Sequence, residues 1–372
     1  MSSAPRALID LAALAHNLAR VRALAPASRV LAVIKASGYG HGMIRVARAL
    51  GAVDALAVAR VGEGVALRRA GIFRPLVVLE GCCDLEELEQ AAANRLELVV
   101  HSPEQIRLLR RHALAEPLGC WLKVDTGMHR LGIALEQAPA ACRELAACPA
   151  VAGIPRLMTH FANADDPGDP LTAEQWRRLG PLAAELKAEV SAANSGGILG
   201  WPETHGDWVR PGIMLYGVSP FQGGRAADAG LRPVMTLQSR LIAVNHYKKG
   251  DPIGYGGAWV CPEDMTVGVA SVGYGDGYPR HAPPGTPVLL KGKRVPLVGR
   301  VSMDMISLDL RTVPQARVGD PVTLWGAGLP VEEVAEAAGT IPYQLLCGVA
   351  ARVDFVEEQV AHGQESSRQT GL

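Results

Sequence analysis

The sequence predicts an α/β protein in which a (β/α)8 barrel, of the TIM type, is followed by a C-terminal, mainly β domain. Apolar, strand-like runs alternate with amphipathic stretches from about residue 29 to 217, and short β-like runs with frequent turn residues follow. Eight consecutive β/α units are typical of a closed parallel barrel. The chain has 372 residues, which suffices for one large and one medium domain.

The barrel prediction depends on eight strand candidates. Segments with apolar residues at helical spacing lie between several of these strand candidates. Ser102 followed by Pro103 is typical of a helix start. An open doubly wound sheet is the alternative, but no Gly-x-Gly-x-x-Gly turn follows the first strand. The candidate strands are 29–36, 55–60, 75–80, 96–102, 120–125, 153–160, 190–194 and 208–216, and the candidate helices include 84–94, 103–112, 135–147 and 173–190.

The second domain is predicted from a change of texture after Gly217. Residues 220–230 are rich in glycine and alanine and indicate a linker. We place the barrel domain at 1–225, the β domain at 226–360 and a disordered tail at 361–372, and we leave open whether the first residues join the β domain. The β-like runs are 237–244, 266–271, 287–290, 294–298, 306–310 and 321–324, with a helix near 331–338.

Composition narrows the function classes. The apolar share is 48%, and 37 basic residues balance 37 acidic ones, so we expect neither a nucleic acid nor a membrane as partner. The N-terminus lacks the form of a secretory signal, and we expect a cytoplasmic protein. Seven cysteines without a Cys-x-x-Cys pair favour buried free thiols over disulfides or a zinc site, and no metal is expected.

Lys35 is the first candidate for chemistry, because it directly follows an apolar strand. Desolvation lowers the pKa of a lysine and frees its amine to form an imine. A lysine that reaches solvent from the barrel rim is the simpler alternative. Glycines at positions 38, 40 and 42 favour the first interpretation, because they let the backbone turn tightly beside a bound group.

Residues 35–42, KASGYGHG, resemble the cofactor-lysine signature of alanine racemases, the fold-type III pyridoxal-phosphate enzymes. The resemblance covers the chain from about residue 7 to 355, and residues 195–202 look like the proteobacterial branch of the family. Further matching segments follow in family order: 123–132 (KVDTGMHRLG), 159–162 (THFA), 193–195 (ANS), 209–213 (VRPGI), 254–257 (GYGG), 273–280 (GYGDGYPR), 299–305 (GRVSMDM) and 341–343 (IPY).

This resemblance implies an isomerase that interconverts L-alanine and D-alanine, for peptidoglycan supply or for D-alanine catabolism. Lys35 would hold pyridoxal 5'-phosphate as a Schiff base and act as one base, and Tyr255 would act as the second. Racemisation removes a proton from one face of Cα and returns one to the other, which two bases on opposite faces achieve. In this family the tyrosine comes from the partner subunit of a homodimer with shared active sites.

The resemblance also assigns residues to the cofactor. Arg210 would face the pyridine nitrogen and keep it unprotonated, since two cations in contact repel. Ser195, Gly212 and Ile213 would bind the phosphate through a hydroxyl and backbone N–H groups. Of the other cofactor contacts, Tyr39 and Tyr343 would touch the phosphate, His160 would pack against the ring, and Asn194 would support the region of Arg210.

Four further residues concern the substrate. Arg130 and Met303 resemble the positions that hold the substrate carboxylate, and Tyr274 resembles a residue of the narrow entry. Lys123 matches a lysine that is often carbamylated, which would give an anion able to hold Arg130. Pairing of Lys123 with Asp125, or exposure to solvent, remains the alternative.

Two positions depart from the family pattern. Ser37 stands where asparagine or aspartate is common, and Ser191 stands where many members have a histidine. Three other functions stay open: a diamino-acid decarboxylase, a metal-dependent aldolase of D-threonine type, and a non-catalytic cofactor carrier. The carrier class has a single barrel without a second domain, and no His/Cys metal cluster supports the aldolase.

Overall fold

The computed structural model describes residues 4–358, so the tail predicted at 361–372 lies outside the described residues. The first strand, β1 (Arg6–Ile9), leads into helix α1 (Leu11–Leu24), whose N-cap Asp10 accepts a hydrogen bond from Ala13 N at 2.8 Å. No helix within residues 4–358 has the length and apolar character needed to cross a membrane.

A closed ring of parallel strands follows α1 and confirms the predicted barrel. Within the described residues the pairing order is β2–β3–β4–β5–β6–β8–β9–β10 and back to β2, and β7 pairs beside β6. The strands are β2 (Arg29–Val33), β3 (Ala55–Val58), β4 (Leu76–Val78), β5 (Glu97–Val100), β6 (Cys120–Asp125), β7 (Ile133–Ala134), β8 (Arg156–Met158), β9 (Val190–Ser191) and β10 (Trp208–Val209).

Helices surround this ring and connect its strands. Their buried faces are mainly apolar. In α6, Ser102 caps the first turn and Pro103 begins the helix as predicted. The helices are α3 (Met43–Ala49), α4 (Val61–Arg69), α5 (Leu85–Ala93), α6 (Pro103–Arg111), α7 (Ala138–Ala146), α8 (Leu171–Leu186) and α9 (Ser195–Gly200), and the short α2 (Lys35–Tyr39) contains left-handed residues.

The eighth strand is much shorter than its prediction of 208–216. Pro211 and Gly212 end it, since proline cannot donate to a sheet and this glycine has non-strand dihedral angles (φ −117°, ψ −99°). The apolar residues beyond them form a 3₁₀ turn (Ile213–Tyr216) that is fully buried. The apolar run therefore predicted the burial of these residues correctly, but the prediction that they form a strand was wrong.

Six antiparallel strands close a second, smaller ring in the order β11–β14–β17–β16–β15–β18 within the described residues. The long β11 pairs with β14 at one end and β18 at the other, and β1 pairs with β11, so the first described strand lies in this sheet. The elements are β11 (Met235–Tyr247), β12 (Pro252–Ile253), β13 (Trp259–Val260), β14 (Met265–Ala270), β15 (Pro287–Leu290), β16 (Lys293–Val298), β17 (Ile306–Asp309), β18 (Pro321–Trp325), α10 (Val331–Ala337), α11 (Pro342–Cys347) and β19 (Asp354–Glu357).

The segment predicted as a linker is anchored between the two domains. Glu332 of α10 is buried, and its Oε1 accepts hydrogen bonds from Ser219 N at 3.0 Å and Ala226 N at 2.9 Å. Arg225 forms an ion pair with Glu336 at 2.6 Å. Backbone N–H groups of this turn-rich segment thus find their hydrogen-bond acceptor on α10.

Gly217→Ala is expected to destabilise the protein more than Gly292→Ala. Both glycines are left-handed, with φ of 74° and 75°. Any other residue pays about 1–2 kcal/mol for that conformation. At Gly217 a Cβ would also lie 1.7 Å from the carbonyl oxygen of Arg232, whereas nothing lies within 4 Å of one at Gly292. Urea unfolding should separate the two variants by about 1–3 kcal/mol, the usual cost of overpacking; equal losses would show that the junction yields freely.

Candidate active site

A cavity of about 1100 Å³ opens at the carboxyl ends of the barrel strands. Residues 219–225 and the helices α10 and α11 form its outer wall. Ile213 is buried and does not line the cavity. The sequence-predicted residues that line the cavity are Lys35, Tyr39, Lys123, Arg130, His160, Asn194, Ser195, Arg210, Gly212 and Tyr343.

Lys35 follows β2 after one residue and extends into this cavity. Burial lowers the pKa of its amine and the nearby Arg130 lowers it further, while Glu80 and Glu63 act in the opposite direction. Its side chain forms no hydrogen bond or ion pair with residues 4–358. The amine is therefore less basic than that of an ordinary lysine and is available to a ligand.

The backbone after Lys35 is left-handed for four consecutive residues. The φ angles are 52° at Ala36, 55° at Ser37, 63° at Gly38 and 51° at Tyr39. L-residues pay roughly 1–2 kcal/mol each for this conformation, so packing must hold the turn. At Gly40 a Cβ would lie 2.0 Å from the carbonyl oxygen of Leu346, which shows how closely α11 approaches.

This turn delivers Tyr39 to one end of the cavity. The Tyr39 ring is buried and stacks on Tyr216 at 4.7 Å between centroids. A Cβ on Gly212 would lie 2.5 Å from the Tyr39 hydroxyl, so only glycine fits there. Burial raises the pKa of Tyr39, and Tyr343, whose ring centroid is 6.0 Å away, adds to this effect. The phenol therefore stays protonated and can donate a hydrogen bond.

Ser195 organises the same end of the cavity. Its Oγ accepts hydrogen bonds from Gly212 N at 3.0 Å and Met214 N at 3.3 Å. Asn194 caps α9 by accepting from Gly197 N at 3.0 Å, and the first N–H groups of the helix have no acceptor within it. Backbone N–H groups and hydroxyls that converge in this way suit a phosphate group.

Arg210 lines the same cavity, where it is buried and bound only to neutral acceptors. It donates to Ser191 Oγ at 2.8 Å, Thr159 O at 2.6 Å and Ala192 O at 3.0 Å. Burial lowers its pKa to about 10, so the guanidinium remains charged near neutral pH. Its Nε–H has no acceptor among residues 4–358 and is left for a ligand.

His160 is held neutral beside Arg210. Burial lowers the pKa of its imidazole well below the usual value, and the cations Arg210, Lys123, Arg130 and Lys35 lower it further. Its Nδ1 lies 3.3 Å from Arg210 Nη2. Since a guanidinium nitrogen can only donate, Nδ1 accepts and the ring proton resides on Nε2.

Lys123 does not pair with Asp125. The Asp125 carboxylate instead accepts from the backbone N–H groups of Gly127 at 2.9 Å and of Met128 and His129 at 3.1 Å. Burial lowers the pKa of Lys123 to about 8, helped by Arg210 and Arg130. Neither Lys123 nor Arg130 has an ion-pair partner within residues 4–358. The alternative in which Asp125 neutralises Lys123 is therefore wrong.

Three predicted residues lie outside the cavity of their own chain. Tyr255 begins a short turn between β12 and β13 and is 69% exposed, while Tyr274 is 40% and Met303 53% exposed. Tyr274 N donates to Ser302 O at 3.0 Å, and Gly275 N donates to Met303 O at 2.9 Å, which brings Tyr274 and Met303 together. A single chain thus presents two separate parts of the predicted site.

Glu63 was missed by the sequence analysis. Its Oε1 accepts from Ala36 N at 3.0 Å, and its Oε2 accepts from Ala59 N at 2.7 Å and Arg60 N at 3.2 Å. A glutamate at the third position of a helix is half of a capping box. Arg60 is not a usual capping residue, so the sequence carried only this weak signal.

Comparison with known proteins matches both parts of the chain to one family. The model of the N-terminal domain of alanine racemase matches residues 9–220, and that of the C-terminal domain matches residues 234–357. A protein named alanine racemase from Nitrosococcus oceani is 58% identical over 349 residues, which are 94% of this chain and 98% of the relative. Another from Aeromonas hydrophila is 50% identical over 351 residues, again 94% and 98%.

Solved structures agree with these matches. The biosynthetic alanine racemase from Pseudomonas aeruginosa superposes with a TM-score of 0.92 and 43% identity, covering 96% of this chain and 99% of that one. The alanine racemase from Acinetobacter baumannii gives a TM-score of 0.91 and 38% identity, over 95% and 99%. The chain is therefore an isomerase that belongs to the alanine racemase family.

Proposed function

We propose that this chain interconverts L-alanine and D-alanine with pyridoxal 5'-phosphate, using Lys35 and Tyr255 as bases on opposite faces of the substrate. The observation that carries the proposal is the unpaired amine of Lys35, whose pKa is lowered by burial, at the rim of a barrel whose relatives are named alanine racemases. A group that exchanges a proton with a substrate works best when its pKa approaches neutrality.

The donors around the cavity fit this cofactor. The hydroxyls of Tyr39, Tyr343 and Ser195 and the first N–H groups of α9 would hold the phosphate, whereas Gly212 N already donates to Ser195 Oγ. The amine of Lys35 would hold the pyridoxal end. The bound cofactor supplies an electron sink that makes the α-proton of an amino acid more acidic. His160, kept neutral, offers an uncharged ring to pack on.

Arg210 would set the strength of that electron sink. Its remaining Nε–H can donate to a pyridine nitrogen but cannot give up a proton to it near neutral pH. A cation held there by four neutral acceptors also disfavours a second positive charge. With a weaker electron sink, the removal and return of the α-proton depend more on the two bases. This limits side reactions such as transamination.

A second base must come from another chain in this proposal. The exposed positions of Tyr255, Tyr274 and Met303 support a homodimer in which each second domain completes the cavity of its partner. Met303 would then offer its backbone N–H and Arg130 its guanidinium to the substrate carboxylate, and Tyr274 would narrow the entry. A small entry suits alanine better than larger amino acids.

We also propose that Lys123 is carbamylated. Of the cationic side chains that line the cavity, Lys35, Lys123, Arg130 and Arg210 form no ion pair with residues 4–358. Because the pKa of Lys123 is lowered to about 8, a fraction of its amine is neutral near pH 7. That nitrogen can attack carbon dioxide and release a proton, which leaves an N-bound carboxylate. This anion would neutralise part of the cationic cluster and hold Arg130.

Lys35→Ala should abolish racemisation of alanine and the covalent attachment of the cofactor together. Both effects follow because the same amine holds the cofactor and moves the proton. Chiral chromatography of D-alanine conversion and borohydride trapping followed by mass spectrometry measure them. Lys249→Ala, at an exposed position, is the control and should match the wild type. Cofactor trapped at normal yield in Lys35→Ala would assign the attachment to another lysine.

Mixing two inactive variants tests the shared site. In a Lys35→Ala/Tyr255→Ala heterodimer one cavity collects both changes and the other collects neither, so activity should return. Random exchange makes about half of the dimers mixed and each has one intact site, giving about a quarter of wild-type activity. Subunit exchange is verified with two differently tagged chains. Activity that stays at the level of the separate variants after verified exchange would place each site within one chain.

Carbamylation of Lys123 should appear in carbon-13 NMR. Enzyme equilibrated with carbon-13 bicarbonate should give a carbamate resonance, and Lys123→Ala should lack it and lose activity because the cations then repel. Lys187→Ala serves as the control, since Lys187 ends α8 away from the cavity. A resonance of equal intensity in the wild type and Lys123→Ala would assign it elsewhere.

A further inference from the structure

We propose that Glu63 is a positioning residue for Lys35: its carboxylate holds the left-handed turn that follows the lysine and thereby sets the direction and charge of the amine. The inference rests on the proposed function only in naming Lys35 as the attachment point. Glu63 itself lies on α4 and would touch neither cofactor nor substrate.

The contacts of Glu63 tie three elements together. Its Oε1 accepts from Ala36 N, the first residue of the left-handed turn, and its Oε2 accepts from Ala59 N at the end of β3 and from Arg60 N at the start of α4. An ionised carboxylate is the strongest acceptor available to a backbone N–H. One side chain therefore fixes the turn to the neighbouring strand and helix.

The turn needs such a contact at its beginning. Later N–H groups bond within the loop, as from Gly38 N to Ile34 O at 2.9 Å and from Gly40 N to Ala36 O at 3.0 Å. The N–H of Ala36 is bound instead by Glu63 at 3.0 Å. Because residue 36 directly follows Lys35, a change in its backbone redirects the lysine side chain. Relaxation of the strained angles after loss of this contact would move the amine.

Charge gives Glu63 a second influence on Lys35. Arg130 lowers the pKa of the Lys35 amine, whereas Glu80, Glu63 and Cys347 raise it. The charge of Lys35 in turn lowers the pKa of Lys123 and His160, which share its cavity. Burial lowers the pKa of Lys35 most, and Glu63 opposes that shift. Removing the charge of Glu63 should lower the pKa of Lys35 further, so the neutral amine appears at lower pH.

Two substitutions change the charge and the reach of residue 63 separately. Glu63→Gln keeps the length but removes the charge and one of the two accepting oxygens, and Glu63→Asp keeps the charge but shortens the reach. The matched control is Asp54→Asn, because Asp54 accepts from Val30 N at 2.8 Å at the opposite end of β2. All variants are compared as full chains, with and without pyridoxal phosphate.

Two readouts are used. The first is competitive acetylation of the chain without cofactor by acetic anhydride, measured at a series of pH values by mass spectrometry of the Lys35 peptide. It gives the acetylation midpoint, which is the pH at which half of the Lys35 amines are protonated. Racemisation and borohydride trapping with cofactor report the position of the amine. We expect Glu63→Gln to shift the acetylation midpoint to lower pH. We expect Glu63→Asp to keep the midpoint and lose about tenfold or more in kcat, the worth of one charged hydrogen bond.

Asp54→Asn should change neither the midpoint nor the rate of the reaction. Wild-type midpoints and rates in both Glu63 variants, or an equal effect of Asp54→Asn, would overturn the role of Glu63. The acetylation midpoint does not depend on catalysis. Racemisation by Lys35→Ala would therefore refute the proposed function while the effect of Glu63 on the amine could still be measured.

Discussion

Uncompensated positive charge at the mouth of the barrel governs this structure. Lys35, Lys123, Arg130 and Arg210 line one cavity, and within residues 4–358 none has an ion-pair partner. Burial lowers the pKa of Lys35 and Lys123 and keeps His160 neutral, and the neighbouring cations add to each of these effects. The same charge makes the cavity receptive to anions, and a phosphate, a substrate carboxylate and a carbamate would each relieve it.

The barrel stabilises the buried charge of Arg210 because neutral acceptors bind its guanidinium. The acceptors of Arg210 come from the ends of two adjacent strands, with Thr159 after β8, Ser191 at the end of β9 and Ala192 beyond it. A closed parallel barrel brings those strand ends to one rim. The hydroxyl of Ser191 also explains how the chain manages without the more common histidine, since it receives Arg210 and donates to Trp208 O at 3.0 Å. A serine hydroxyl does not titrate near neutral pH, so this contact of Arg210 does not depend on the protonation of its partner.

Strain and close packing supply the precision of the site. The left-handed turn after Lys35 is energetically costly, and the approach of α11 at Gly40 and the carboxylate of Glu63 hold it in place. The second domain contributes to the cavity wall through α10 and α11. The domains are therefore coupled through the junction near Gly217, where the backbone of Arg232 leaves no room for a side chain.

The fold class, the family and most residues of the barrel cavity could be predicted from the amino-acid sequence. The reason is that strand periodicity, helix caps and local motifs are encoded by residues close together in the chain. Lys35 was indicated by a strand end and flanking glycines and Arg210 by the family resemblance, and the structure brings both to one rim. Three features could be read only from the tertiary structure. Residues 213–216 form a buried turn, Asp125 binds backbone N–H groups instead of Lys123, and Glu63 reaches the turn after Lys35. Those outcomes depend on contacts between residues far apart in the chain, for which hydrogen-bonding capacity and space are set only after the barrel has closed.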